Sequence, residues 1–203
     1  MAGRSNAISE ITKFWLQAKH RCLVYESLPV PVPYNQSDID FLAIRGGMQK
    51  IELPNGVYVG PRLIVETKDE HDWEPTGKEF GKLLDSDISK MVGNPCIPKK
   101  TPCKFSMLRE EHYEVACDFF GCDDFDRLFV LHAIDSEVLT RHSEFLTSCR
   151  IYVLTIPELV TDVCQWYTSH PRRAGLRHTL TGDIWHLLVG FCGCLPPDGK
   201  SVR

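Results

Sequence analysis

This sequence predicts an α/β protein with a mixed central sheet flanked by helices and with additional C-terminal helices. Three observations carry that expectation. Short runs rich in branched apolar residues, at 39–44, 63–65 and 151–154, have the composition and length of strands. Stretches of helical periodicity separate them, and in the second half the order strand, helix, strand, helix implies parallel pairing. Residues 126–134 are read as one apolar run, typical of a strand covered on both faces.

The first helix is predicted from about residue 8, because Ile8, Ile11, Trp15 and Ala18 recur at helical spacing. Residues 22–28 have strand composition, and Pro29, Pro31 and Pro33 should end any central-strand assignment. Asn35, Gln36 and Ser37 make a turn into the next strand, which Gly46 and Gly47 break. Residues 48–53 allow a short extra strand, Asn55-Gly56 is a hairpin-type turn, and residues 57–65 are expected to run on as one strand. Thr76 and Glu79 form a capping box that opens a helix to about residue 91, with Phe80, Leu83, Leu84 and Ile88 inward. A Pro-rich basic loop at 93–104 precedes a helix over 107–120 that Gly121 ends. Asp135 and Ser136 cap a helix over 137–147, and Pro157 sits in the first turn of another. A last helix is expected over 182–191. The whole is one domain over 1–203, with a core at about 8–170 and a helical extension at about 171–203.

The 203 residues suffice for one full core. Hydrophobic residues at 43% and charged residues at 25% are ordinary for a globular domain. A formal charge of −4 excludes a general basic field, so any nucleic-acid partner has to be met by a local patch. The start of the chain has no apolar core of the signal-peptide kind, and the apolar stretch at 184–194 is too short to span a bilayer. A cytoplasmic protein without a membrane partner is expected. The nine cysteines include no CxxC pair, which disfavours zinc ribbons and favours reduced thiols packed as small apolar groups. No local Cys or His signature points to a thiol enzyme.

The chemistry concentrates in two stretches. Ser37-Asp38-Ile39-Asp40-Phe41 places carboxylates at the mouth of one apolar strand, and Leu63-Ile64-Val65-Glu66-Thr67-Lys68 ends another with a carboxylate and an ammonium two positions apart. Period two puts Glu66 and Lys68 on one face. Asp38 and Asp40 also share a face; Asp40 is preferred, because the apolar run begins directly after it. If the two strands are neighbours, Asp40 stands beside Glu66. Clustered like charges that have lost water are costly, and a divalent cation relieves them. Mg²⁺ suits one or two carboxylates with substrate phosphate.

Asp40 followed, after 25 intervening residues, by Glu66-x-Lys68 at a strand end resembles the PD-(D/E)xK motif of the restriction-endonuclease-like nuclease superfamily. The Pro that precedes the Asp in that motif is absent, since Ser37 precedes Asp38. The resemblance covers about residues 8–170 as topology and about four residues as chemistry. It implies a restriction-endonuclease-like mixed sheet and a Mg²⁺-dependent (or Mn²⁺-dependent) phosphodiesterase acting on DNA, an endonuclease by the habit of the superfamily. Asp40, Glu66 and the Thr67 carbonyl would hold the metal and Lys68 would position the attacking water. Glu10 of the first helix, equally explained by the macrodipole, would support a second metal. The same resemblance allows a homodimer, and an iron–sulfur cluster on Cys96, Cys103, Cys117 and Cys122. The alternative is a catalytically silent nucleic-acid-binding or assembly module of the same fold.

Candidate phosphate contacts are Lys78 and Lys82, one helical turn apart, and Arg172 and Arg173 in the basic stretch 169–178. A solvated charged face explains each pair equally well. His71, in the acidic loop after Lys68, is a candidate substrate or metal contact, or a solvated surface group.

Overall fold

A computed structural model describes residues 7–32, 37–68, 76–87 and 105–169. In chain order the elements are α1 (Ala7–Phe14), β1 (Cys22–Val30), β2 (Ser37–Arg45), β3 (Ile51–Glu52), β4 (Tyr58–Val59), β5 (Arg62–Thr67), α2 (Thr76–Asp87), α3 (Glu110–Phe120), β6 (Asp126–Leu131), α4 (Ser136–Arg141), α5 (Ser143–Ser148), β7 (Ile151–Thr155) and α6 (Ile156–Ser169). The sequence stretches 93–104, 171–203 and 182–191, with His71, Cys96, Cys103, Arg172 and Arg173, lie outside the described residues.

The protein is α/β, with a mixed five-stranded sheet in the order β1-β2-β5-β6-β7. β1, β2 and β5 form an antiparallel meander, and β5, β6 and β7 are parallel. β5 is therefore the strand at which the sheet changes sense. It is central to both halves and buried from Leu63 to Thr67. All six residues of β6 are buried: Leu128 to Leu131 as an apolar run covered on both faces, Asp126 and Arg127 as buried charges.

Helices cover both faces. One face packs α1 and α6 through Trp15, Leu16, Phe41, Leu63, Val65, Leu128, Val130, Leu159 and Val163. The other packs α2 and α3 through Leu42, Ile64, Phe80, Leu84, Phe105, Phe129 and Leu131. Phe80, Phe105 and Phe129 meet as a ring triad with centroids 5.0 to 5.6 Å apart. Burying each such ring is worth about 2–3 kcal/mol. No helix among the described residues is long and apolar enough to cross a membrane.

Several local expectations are met by named bonds. Glu137 N donates to Asp135 Oδ1 at 2.8 Å, which caps α4. Thr155 N and Oγ1 both donate to Glu158 Oε2, at 2.8 and 2.6 Å, so a capping box opens α6 where Pro157 sits in the first turn. Gly121 ends α3 in the left-handed region at φ 67°.

Others differ for physical reasons. β1 runs through Pro29, which pairs with Asp38, because β1 is an edge strand and its missing N–H faces no partner. Residues 57–65 are not one strand: β4 pairs with β3 in a separate ribbon around Asn55-Gly56, and β5 begins only at Arg62. The helix expected over 137–147 is two, α4 and α5, divided at His142. The first helix continues as a π-helical segment, Trp15–Lys19, which lets Phe14, Trp15 and Leu16 all face the core. Within the first three turns, Ile11 and Ala18 of the expected inward stripe are only partly buried.

α2 approaches the segment after β6 so closely that only glycine fits. A Cβ on Gly77 would stand 1.8 Å from the Ala133 carbonyl oxygen, whereas one on Gly81 would stand 3.3 Å from Val138 Cγ1. Gly77→Ala is expected to cost about 3 kcal/mol in urea unfolding, while Gly81→Ala stays within about 1 kcal/mol of the parent. Equal effects at the two positions would contradict this packing.

Candidate active site

β2 and β5 are neighbours, and their antiparallel ladder ends with Phe41 opposite Val65. One step further, the register sets Asp40 opposite Glu66. There the ladder is continued by a side chain: Thr67 N donates to Asp40 Oδ2 at 2.7 Å and Thr67 Oγ1 to the same oxygen at 3.0 Å. Ser9 Oγ lies 2.9 Å from Thr67 Oγ1. Because the Thr67 hydroxyl proton is given to Asp40, Ser9 is the donor in that contact. The first turn of α1 is thus tied to the end of β5.

The side-chain alternation of β1 and β2 resets at this point. On β1, Cys22 and Val24 pack toward α1 and α6, whereas Leu28 and Val30 pack on the other face. The change falls at Ser27, which has φ 51°. On β2 it falls at Asp40, between Ile39 on one face and Phe41 on the other. Asp40 is consequently turned toward β5, and Asp38 is exposed.

Glu66 is 4% exposed and held on both oxygens. Oε1 accepts from Ser106 Oγ at 2.9 Å and pairs with Lys68 Nζ; Oε2 accepts from Met107 N at 3.0 Å. The turn before α3 is therefore fastened onto the end of β5. Lys68 N donates to the Val130 carbonyl, so the Lys68 backbone continues the pairing with β6.

Burial pushes the Asp40 carboxyl up from an ordinary 3.8 to about 6. The two Thr67 donors and Lys68 pull it down, and the nearby Glu66 charge pushes it further up. Asp40, Glu66 and Lys68 thus share one electrostatic corner.

His112 of α3 borders it. Its side chain is fully buried, Nε2 is hydrogen-bonded with Ser37 Oγ at 3.0 Å, and Nδ1 has no partner. Burial lowers its pKa, with Glu66 pulling the other way, so the ring is neutral at pH 7. Ser106, the Met107 N–H and His112 lie about forty residues from Glu66 in the chain, and no local motif marks them.

The other predicted residues are placed as follows. Glu10 is half-buried in α1, directly after Ser9, the residue of that helix bonded to Thr67. Lys78 and Lys82 are both exposed on α2, a turn apart. Cys117 is half-buried in α3 and Cys122 just beyond it; both are free thiols.

Could these residues hold a divalent cation? Among the described residues no three His, Cys, Asp or Glu side chains cluster as a ready-made metal site. A pair of carboxylates with a backbone carbonyl falls below that count. A carboxylate has about four acceptor positions. Glu66 uses three of them, and Asp40 Oδ1 stands outside the bonds to Thr67. Acceptor capacity and shared negative charge therefore fit a hard cation. No protein-family model matches the chain, and neither curated proteins nor solved structures include a significant match to it.

The raised Asp40 pKa has a stability consequence of definite sign. Between about pH 4 and pH 6 the folded state holds a proton on Asp40 that the unfolded chain has released, so this residue's contribution to stability falls as pH rises through that window and is level above it. Asp40→Asn, which keeps an acceptor for Thr67, removes the penalty. Relative to the parent, the variant should gain stability between about pH 4.5 and pH 8 in urea titrations. A parent-minus-variant difference independent of pH would refute the assignment.

Proposed function

We propose that the protein is a Mg²⁺-dependent phosphodiesterase that hydrolyses DNA, with Asp40, Glu66 and Lys68 at its centre. The observation that carries this reading is that two carboxylates and one ammonium stand at one strand end, where the Glu66 charge raises the Asp40 pKa and the Lys68 charge lowers it. Charges so arranged are a standing cost to folding unless a ligand uses them. The element order supports the same reading: a helix, an antiparallel meander ending in Glu66-x-Lys68, helices, then a parallel strand is what the resemblance to the restriction-endonuclease-like superfamily implies.

In this mechanism Asp40 and Glu66, with the Thr67 carbonyl, would hold Mg²⁺. When bound, the metal supplies neutralisation of phosphate charge and a lowered water pKa. Ser106 and the Met107 N–H fix the Glu66 carboxylate, and Glu66 in turn fixes the Lys68 ammonium. Lys68 then donates to the attacking water or to a phosphate oxygen as the in-line displacement proceeds. Thr67, anchored by Ser9, sets the direction of Asp40. Glu10, adjacent to Ser9, bears on a second cation from the α1 side. Lys78 and Lys82 are offered as contacts to the DNA backbone.

One observation favours a second reading, a catalytically silent DNA-binding or assembly module. Glu66 already has three partners, as a carboxylate serving purely to join β5 to α3 would have.

Plasmid nicking separates the two. Supercoiled plasmid should be converted with Mg²⁺ or Mn²⁺ and not with EDTA, and Glu66→Ala or Lys68→Ala should lower the rate by about 100-fold or more with the fold retained. Activity unchanged in both variants would sink the site assignment. DNA binding without cleavage under every divalent cation would favour the silent module.

A further inference from the structure

The strongest feature outside that corner lies at the other end of β2, about 17 Å along the strand from Asp40. There the π-helical segment, the start of β1, the turn after β2 and the β3–β4 ribbon enclose a pocket of about 720 Å³. Arg21, Arg45 and Lys50 line it, with Tyr58, 56% exposed, at its rim. The chain carries a net charge of −4, so this accumulation of cations is local and runs against the overall field.

Lys19 also lines the pocket, but its charge is met by Asp162. The carboxylate on the wall is Glu52, beside Tyr58 on the ribbon. Three cations therefore outweigh one anion among the lining groups left. Arg45 is braced in place by the Lys50 carbonyl, which accepts from its Nη1. The wall is built on unusual backbone: Arg21 and Met48 have φ of 56° and 53°, in the left-handed region that non-glycine residues rarely adopt.

His20 packs beneath these cations. It lines the pocket, is 4% exposed, and its Nε2 is buried without a hydrogen-bond partner. Its ring packs edge-on against Trp15 at 4.4 Å, which fixes the imidazole plane. Burial, followed by the charges of Lys19 and Arg45, lowers its pKa to about 3, so the imidazole is neutral.

We infer that this pocket binds a nucleotide, with phosphate oxygens on Arg21, Arg45 and Lys50, and the base against the Tyr58 ring. The volume falls in the range of small-ligand sites, and guanidinium groups suit phosphate bidentately. An exposed aromatic offers a stacking face to any base. Glu52 accepts from sugar hydroxyls. The site needs no metal and does not depend on the nuclease reading, since it shares no residue with the Asp40–Glu66 corner.

Titration calorimetry of the full chain in EDTA tests this with adenosine monophosphate, inorganic phosphate, adenosine and a short single-stranded oligothymidylate. Adenosine monophosphate should bind at least tenfold more tightly than adenosine, weaken as salt is raised, and lose at least tenfold in the Arg21→Gln/Lys50→Gln double variant, whose substituted side chains are exposed. Lys68→Ala should leave binding unchanged. An oligothymidylate that binds more tightly than the mononucleotide identifies a strand as the source of the phosphate, and weaker binding identifies the free nucleotide. No binding of monophosphate or phosphate at millimolar concentration, or binding indifferent to the double variant, overturns the proposal.

Discussion

Glu66 ends β5 with 4% of its surface exposed, and an ionised carboxylate there has to recover from protein the hydrogen bonds it gave up to water. Three groups supply them: the Lys68 ammonium from its own strand, the Ser106 hydroxyl and the Met107 N–H from the turn before α3. Satisfying this one carboxylate therefore fixes where α3 begins. That in turn seats Phe105 and Met107 in the core against Phe80 and Phe129. A buried charge and an apolar cluster are thus mutually dependent here. The rings exclude water from the carboxylate, and the carboxylate positions the turn that carries the rings.

The same strand end organises the opposite face. β5 stops pairing with β2 at Val65, which leaves the Thr67 N–H without a ladder partner. Asp40 takes it with a side chain, and that use is open to it because alternation on β1 and β2 resets around Ser27 and Asp40. Ser9 then closes the corner from α1. Helices of both layers and both halves of the mixed sheet meet within a few residues of Thr67. A substitution in this corner acts on several elements together, so its effects on fold and on chemistry need separate measurements.

Much of this was legible in the sequence. The apolar runs found β2, β5, β6 and β7, and the carboxylate, ammonium and strand pattern at Asp40, Glu66 and Lys68 brought out the residues that meet at the β5 end. Strand periodicity is local and strong, and these residues lie within one meander. What was not legible is non-local. Ser106 and His112 reach the corner only because β6 returns parallel to β5, and no residue type near them announces it. β1 continues through Pro29 because it lies at an edge, a fact of sheet order and not of its own composition. The pocket at Arg21, Arg45 and Lys50 escaped for a similar reason. Its cations are scattered singly along the chain, whereas sequence inspection finds runs such as Arg172-Arg173.

The two sites divide one strand between opposite charges. Within β2, Asp40 stands among carboxylates and Arg45, the last residue, among cations. The stem between them, Phe41 to Ala43, is buried on both faces and paired on both edges, so it is among the least deformable parts of the molecule. Such a stem holds charged groups at its ends in fixed positions, which is what electrostatic preorganisation requires. The penalty of half-burying Asp40 falls outside the stem, where a ligand can relieve it. Stability is concentrated in the middle of the strand and chemical tension at its termini, which ties the apolar runs and the charged residues around them into one physical design.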